Sequence, residues 1–578
     1  RRYGEVTLLP SGIAELAEFL HYDSEAAFRA ALLHHLHTVE DHYAHLFEES
    51  PSLSGGGGNL VFTGGEPEPG TLETLTQLGF KSPAIVFNLV KSWHHGRYRA
   101  MRSQRARELL TEIMPTLLAA FGHTADPDAA LASFDEFLGG LPAGVQLFGL
   151  LAANPRLLDL IAEVMGTAPG LAQHLSRRPG LLDAVLSRGF FERLPDRAAL
   201  AAELEARMTQ ARDYQDRLDI ARSFANDRRF QAGIHQLQAL SEEKHVAGFL
   251  TDLADVVLTR LLADVTAEYA LTHGRLPGAG LAVLALGKLG SREMAAGSDL
   301  DLVILYDAPE GAMSDGPRPH DAMTWTARLA QRFVNALTLA TGEGQLYQAD
   351  LRLRPSGNAG PIAITLEGFR RYHEQDAWTW EQMALTRARV VVAEPGFAQE
   401  ITATLHELMA RPRDPAKLLR DVHDMRQRLY RDKPAKGPWD VKLRTGGLVD
   451  CEFIAQYLEL RHADAQPQVL AGPTDRVLQA LAAARLMEPG VAERLAQATR
   501  QWRRIQGYLR LTAPADFDYK VVPAPIRAGL AKAAGALDFA QLEASLEATA
   551  AFVGQVYRDV VGAPAEALPP KEQPEERT

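Results

Sequence analysis

Between Leu281 and Arg354 the hydrophobic pattern changes period, and no other feature of the chain limits its fold as strongly. Elsewhere apolar residues recur at three- and four-residue spacing, as in Leu150, Leu151, Leu157, Leu158, Ile161, Val164 and Met165, which is the pattern of amphipathic helices. Leu281 to Leu286 is instead a continuous apolar run ending at Gly287. Leu300 to Tyr306 is a second, ending at Asp307, and Gln345 to Arg354 alternates in period two. Runs of this length bounded by turn residues read as strands. The expectation is a mixed, mostly α protein with an α/β core set among helical domains.

With 578 residues the chain is too long for one hydrophobic core, so several domains are expected. A helical region should cover 1–240, an α/β core 241–411 and a helical bundle 412–563, followed by a disordered tail over 564–578 with Pro569-Pro570. The stretch from Ser52 to Gly70, with four glycines at Gly55–Gly58, reads as a loop or linker. No Gly-Lys-Ser/Thr follows it, so it lacks the phosphate-loop pattern. Pro155-Arg156-Leu157-Leu158-Asp159 returns as Pro179-Gly180-Leu181-Leu182-Asp183, each proline suiting the first turn of a helix, which suggests stacked helical hairpins.

Apolar residues make up 46% and charged residues 23%, the usage of a soluble, folded protein. The 61 Lys and Arg against 73 Asp and Glu leave a formal charge of −12, a poor field for steering a polyanion, so nucleic acid is not an expected partner. A single cysteine, Cys451, leaves no intramolecular disulfide and suits a reducing cytosol. No apolar run approaches the ~20 residues that span a bilayer, and Arg1-Arg2-Tyr3-Gly4 does not open a secretory signal. The expected location is cytoplasmic, away from membranes.

In a strand, side chains alternate faces, so Asp299 and Asp301 should point to one side while Leu300 and Leu302 enter the core. Two adjacent carboxylates repel unless a cation neutralises them, and hard oxygen ligands suit Mg²⁺ or Mn²⁺. Asp350 adds a third carboxylate, and the alternating pattern places Arg352 and Arg354 on its face as forks for phosphate. Three aspartates around two metal ions serve nucleotidyl transfer, one ion activating the attacking oxygen and the other steadying the leaving pyrophosphate. In Gly287-Lys288-Leu289-Gly290-Ser291, small residues would let the backbone approach a triphosphate and Lys288 would add a point charge. Asp-Leu-Asp alone is also what a solvated strand end looks like; the glycine turn before it and Asp350-Leu351-Arg352-Leu353-Arg354 after it favour a site.

The run from Gly287-Lys288-Leu289-Gly290 through Ser298-Asp299-Leu300-Asp301-Leu302 resembles the nucleotidyltransferase motif of the DNA polymerase beta superfamily, in the form used by glutamine synthetase adenylyltransferases. The resemblance continues through Asp350 to Gly357, Ala377-Trp378-Thr379-Trp380-Glu381, Thr386-Arg387-Ala388-Arg389 and Gly446 to Phe453, nearly the whole chain. It implies Asp299, Asp301 and Asp350 as catalytic metal ligands, and Gly287, Lys288, Ser298, Arg352, Arg354, Arg387, Arg389 and Lys442 around the nucleotide. It implies ATP as substrate, glutamine synthetase as protein substrate, and a PII signalling protein and glutamine as partner and effector. Family members carry an AMP-removing and an AMP-attaching domain, and the segment around Trp380 and Arg387 resembles the attaching one. On that basis the chain is expected to be a fragment whose first 130 or so residues follow a missing removing domain. Ser291, Met383 and Cys451 depart from the family pattern without touching a proposed metal ligand. The alternatives are the reverse, phosphorolytic activity and a silent module sensing PII or glutamine.

Other signals stay open. His34, His35, His37, His42 and His45 crowd one helix, where His37, Asp41 and His45 share a face that could bind zinc or form a solvated polar surface. Trp378 and Trp380 suit either adenine stacking or a core. Asp450 and Glu452, beside Gly446-Gly447, are placed to orient the pocket.

Overall fold

The computed structural model describes residues 17–48, 60–62, 67–124, 126–178, 180–185, 188–513 and 517–569. They fall into two compact units, Arg1–Leu182 and Asp183–Thr578. The first contains α1 (Glu25–Glu48), α2 (Pro69–Gln77), α3 (Pro83–His94), α4 (Gln104–Gly122), α5 (Pro127–Gly140), α6 (Val145–Ala153), α7 (Pro155–Thr167) and α8 (Pro169–Arg177). Proline opens α2, α3, α5, α7 and α8, because its missing N–H would be unsatisfied there anyway and its φ is already helical. The core is aromatic: Trp93, Phe121, Phe134 and Phe137 are fully buried. Asp135 accepts hydrogen bonds from Trp93 Nε1 at 2.7 Å and from the Tyr98 hydroxyl at 2.8 Å, satisfying both polar handles.

Of the expected linker, residues 52–59 and 63–66 lie outside the described residues. Between them Leu60 and Phe62 are buried and the Val61 N–H donates to Thr71 Oγ1 at 2.9 Å, so part of that stretch is packed. The echo's second proline, Pro179, and the side chains of His37, Asp41, His42 and His45 also lie outside the described residues, while His34 and His35 are exposed.

The second unit is built on a five-stranded sheet: β1 (Gly280–Ala285), β2 (Leu300–Asp307), β3 (Ala349–Asp350), β4 (Ala363–Thr365) and β5 (Arg389–Val392). The order is β3-β2-β1-β5, with β4 also pairing β2. β1 runs antiparallel to β2, from Gly280 opposite Asp307 to Ala285 opposite Leu302, and antiparallel to β5. β3 and β4 run parallel to β2. Val283, Ala285, Leu300, Leu302 and Ile304 share one core with α9 (Arg197–Met208), α10 (Tyr214–Leu237), α11 (Glu243–His273) and α12 (Ala322–Thr338). The boundary expected near Leu240 therefore falls between two helices of a single unit that starts at Asp183.

The third strand is much shorter than the alternation from Gln345 to Arg354 predicts. Only Ala349 and Asp350 pair with β2. The chain then turns, with the Gly357 N–H donating to the Arg354 carbonyl at 2.8 Å, Ser356 and Gly357 at positive φ, and Pro355 unable to donate to a ladder. Arg352 and Arg354 thus owe their positions to a turn and not to strand alternation.

Beyond the sheet come α13 (Leu366–Gln375), α14 (Thr379–Leu385), α15 (Pro395–Met409), α16 (Pro415–Asp432), α17 (Leu448–His462), α18 (Thr474–Ala483), α19 (Pro489–Thr512), α20 (Ala524–Ala534) and α21 (Phe539–Tyr557), all in the second unit. The expected tail begins with a helical turn at Ala563–Glu566; residues 570–578 lie outside the described residues. Among the described residues no single helix is long and apolar enough to cross a membrane.

Candidate active site

β1 delivers the chain to a single helical turn, Gly287–Gly290, that lies against β2. Gly287 has φ +52°, and a Cβ there would fall 2.0 Å from Asp301 Oδ2. The turn can approach the carboxylate this closely only because the residue has no side chain. Asp301 is the second residue of β2 and sits in parallel register with Asp350 of β3. Asp299 precedes β2 by one residue, outside the strand but on the expected side. Carboxylate oxygens of the three aspartates lie within 4.8 Å of one another, while Leu300 and Leu302 are fully buried behind them.

Crowding of like charges leaves a clear electrostatic mark. Burial, and then the charges of Asp299 and Asp350, push the Asp301 carboxyl up to about 6, against the opposing pull of Lys442 and Arg352. Relative to an ordinary solvated carboxylate, the ionised form is disfavoured by roughly 3 kcal/mol, which a nearby cation would offset. Arg352 already takes one of the three: its Nε donates to both Asp350 oxygens at 3.0 and 2.8 Å and its backbone N–H at 2.8 Å, holding that carboxyl below its ordinary value. Three carboxylates graded from half-buried to exposed fit a hard divalent cation that keeps part of its water shell.

The other sequence-predicted residues divide. Ser298 Oγ accepts from the Ala295 N–H at 3.1 Å and shapes the turn before Asp299. Lys288 donates to Gln506 Oε1 at 2.8 Å, and Lys442 is exposed and close enough to influence both Asp301 and Lys288. Burial, then Arg510, lowers Lys288 to about 7, with Glu452 opposing and Lys442 and Arg503 adding to the fall. Arg354 donates to the carbonyls of Leu351 at 2.8 Å and Gly360 at 3.3 Å and braces its own loop. Arg387 is buried, bonded to Thr474 Oγ1 at 3.1 Å and paired with Glu452 at 3.2 Å. Arg389 forks onto the fully buried Asp255 at 2.8 and 2.9 Å and also donates to the carbonyls of Leu289 and Gly290. It clamps the glycine turn from behind. Arg354, Arg387 and Arg389 are thus occupied by protein groups.

Asp450 is buried and binds the Arg426 Nε at 2.5 Å, the Tyr430 hydroxyl at 3.0 Å and the Gly446 N–H at 2.6 Å. It fixes the turn at Gly446, whose φ is +71° and where a Cβ would lie 1.8 Å from the Ala550 carbonyl. Trp378 and Trp380 are 70% and 41% exposed, so neither anchors a core. Sequence reasoning missed Asp255, Gln506 and Arg510. Asp255 carries no motif, and Arg503, Gln506 and Arg510 share one side of a helix rich in other polar residues, so little in the sequence marks them out.

Residues 158–404 match the family described as glutamate-ammonia ligase adenylyltransferase, and residues 416–561 match that described as GlnD PII-uridylyltransferase. The chain is 43% identical over 543 residues to a bifunctional glutamine synthetase adenylyltransferase/adenylyl-removing enzyme of Mesorhizobium japonicum, covering 93% of this chain and 54% of that protein. Similar proteins of Rhizobium meliloti and Xanthobacter autotrophicus, with the same description, are each 42% identical, over 96% and 95% of this chain and 57% and 56% of their own lengths. The chain spans about half the length of the curated relatives it matches.

Proposed function

We propose that the chain, whose residues 158–404 match the glutamate-ammonia ligase adenylyltransferase family, transfers AMP from ATP to a tyrosine of glutamine synthetase. The meeting of Asp299, Asp301 and Asp350 against the glycine turn is the observation that carries this reading. In the proposed reaction the tyrosine oxygen bonds to the α-phosphorus, the bond from that phosphorus to the pyrophosphate oxygen breaks, and the phenolic proton passes to the carboxylate cluster. Asp299, Asp301 and Asp350 would hold Mg²⁺ or Mn²⁺, which when bound supplies positive charge to the phosphates. Gly287 lets the backbone come close, while Lys288, Lys442 and Arg352 supply the protein's own charge to the phosphates.

The similarity of residues 416–561 to a PII-uridylyltransferase supports a PII signalling protein as a partner, and glutamine is proposed as effector in control of nitrogen assimilation in the cytoplasm. The direct test supplies the chain with glutamine synthetase, Mg²⁺ and ATP labelled in its α-phosphate. Label should move to glutamine synthetase with the natural sequence and stay behind with Asp301→Asn. Transfer by both chains at similar rates would refute the site; transfer by neither would refute the reaction.

A further inference from the structure

α19 runs through the C-terminal helices, yet one of its faces meets the glycine turn. Arg503, Gln506 and Arg510 lie at i, i+3 and i+7, one side of a helix. The first of them is neutralised, its Nη2 lying 2.5 Å from Glu293 Oε1. Gln506 instead accepts from Lys288 Nζ at 2.8 Å. Arg510 donates only to neutral acceptors, Ser298 Oγ and the Ala296 carbonyl, both at 3.3 Å. Among the described residues no carboxylate stands within ion-pair distance of Lys288, Lys442 or Arg510. Arg387 and Arg389, for comparison, are held by Glu452 and Asp255.

Lys288, Lys442 and Arg510, none at ion-pair distance from a carboxylate among the described residues although Asp299 acts on Arg510 and Asp301 on Lys442, thus gather near Gly287, which has no side chain. Burial, and then the charge of Arg510, disfavour the ionised form of Lys288, with Glu452 opposing and Lys442 adding to the fall, and an anion entering beside it would favour that form again. Long, weak bonds to neutral oxygens are easily exchanged for charge-assisted ones.

We propose that Arg510 contacts the phosphates of the bound nucleotide directly and that Gln506 positions Lys288 for the same ligand, so that the nucleotide site is completed by the C-terminal helices. The inference rests on the adenylyl-transfer reading, with the phosphate-binding charge assigned to Arg510 instead of Arg354, Arg387 or Arg389. Calorimetric titration of the whole chain with ATP, pyrophosphate and adenosine tests it. Arg510→Gln should weaken ATP and pyrophosphate roughly tenfold or more, as loss of a charge-assisted contact requires, and leave adenosine unchanged; Gln506→Leu should cause a smaller loss of the same selectivity. Unchanged ATP and pyrophosphate binding, or an equal loss for adenosine, would overturn the assignment. Hydrogen exchange on the natural chain keeps the test independent of whether the variants fold: ATP should slow exchange in residues 506–512, and unaltered exchange there overturns the proposal. A natural chain that binds neither ATP nor pyrophosphate would sink the adenylyl-transfer reading itself, which separates the two failures.

Discussion

Gly287 and Asp301 compete for one small volume, and the site depends on the glycine yielding it. Gly287→Ala would place a Cβ 2.0 Å from the carboxylate at a φ of +52°, so the variant should lose most metal-dependent activity while melting only slightly earlier. Asp301→Asn keeps the shape and removes the charge; it should retain the fold, with a rate below roughly a tenth of normal. Asp350→Asn should behave similarly, with the larger effect on the tyrosine hydroxyl. Because Asp301 titrates near 6, it is largely ionised above that pH and protonated below it, and a divalent cation must compete with the proton. The rise in melting temperature produced by Mg²⁺ should therefore fade as pH falls through about 6, and a rise that persists undiminished at about pH 5 would contradict the assignment. The meeting of the three aspartates was legible because two-residue spacing in a strand and a motif with arginines carry their own geometry. The pairing of Arg387 and Arg389 was not, since their partners Glu452, Thr474 and Asp255 lie far along the chain and nothing local announces them.

Among the elements, the glycine turn is held from two sides, by β2 in front and by the Arg389 fork behind. Asp255 is fully buried, and without Arg389 its remaining partners are Arg197 at 3.4 Å and Arg292 at 3.7 Å. Arg389→Leu should destabilise the second unit by about 3 kcal/mol in denaturant titration, the scale for breaking a buried pair from one side. Asp301→Asn should not. Equal stability of the two variants would return Arg389 to the nucleotide pocket. β1 and β2 were readable to within a residue because their apolar runs are buried on both faces. β3 was overread: the alternation from Gln345 to Arg354 is real, but Pro355 and the positive φ of Ser356 and Gly357 turn the chain, and Arg352 folds back onto Asp350.

At the scale of the whole molecule, the division falls at Leu182, ahead of α9, α10 and α11, because Leu200, Phe224 and Leu253 belong to the same core as Val283 and Leu302. Helical periodicity alone cannot tell a helix that packs on a sheet from one that packs on other helices, which is why the sequence placed the boundary later. The C-terminal helices reach the turn through Lys288 and Gln506, so changes along α19 should alter nucleotide affinity without touching the aspartates. Relatives about twice as long are described as bifunctional adenylyltransferase/adenylyl-removing enzymes, and the direction of the transfer proposed for this chain is the central question. An attaching site takes ATP and a free tyrosine; a removing site takes phosphate and a modified one. The intact mass of glutamine synthetase subunits, measured after incubation with this chain, ATP and Mg²⁺, distinguishes them. The expected result is a gain of one adenylyl group per subunit that vanishes with Asp301→Asn, and no loss of AMP when modified subunits are given phosphate instead. Unchanged subunits with ATP, together with release of ADP from modified subunits given phosphate, would reverse the proposed direction.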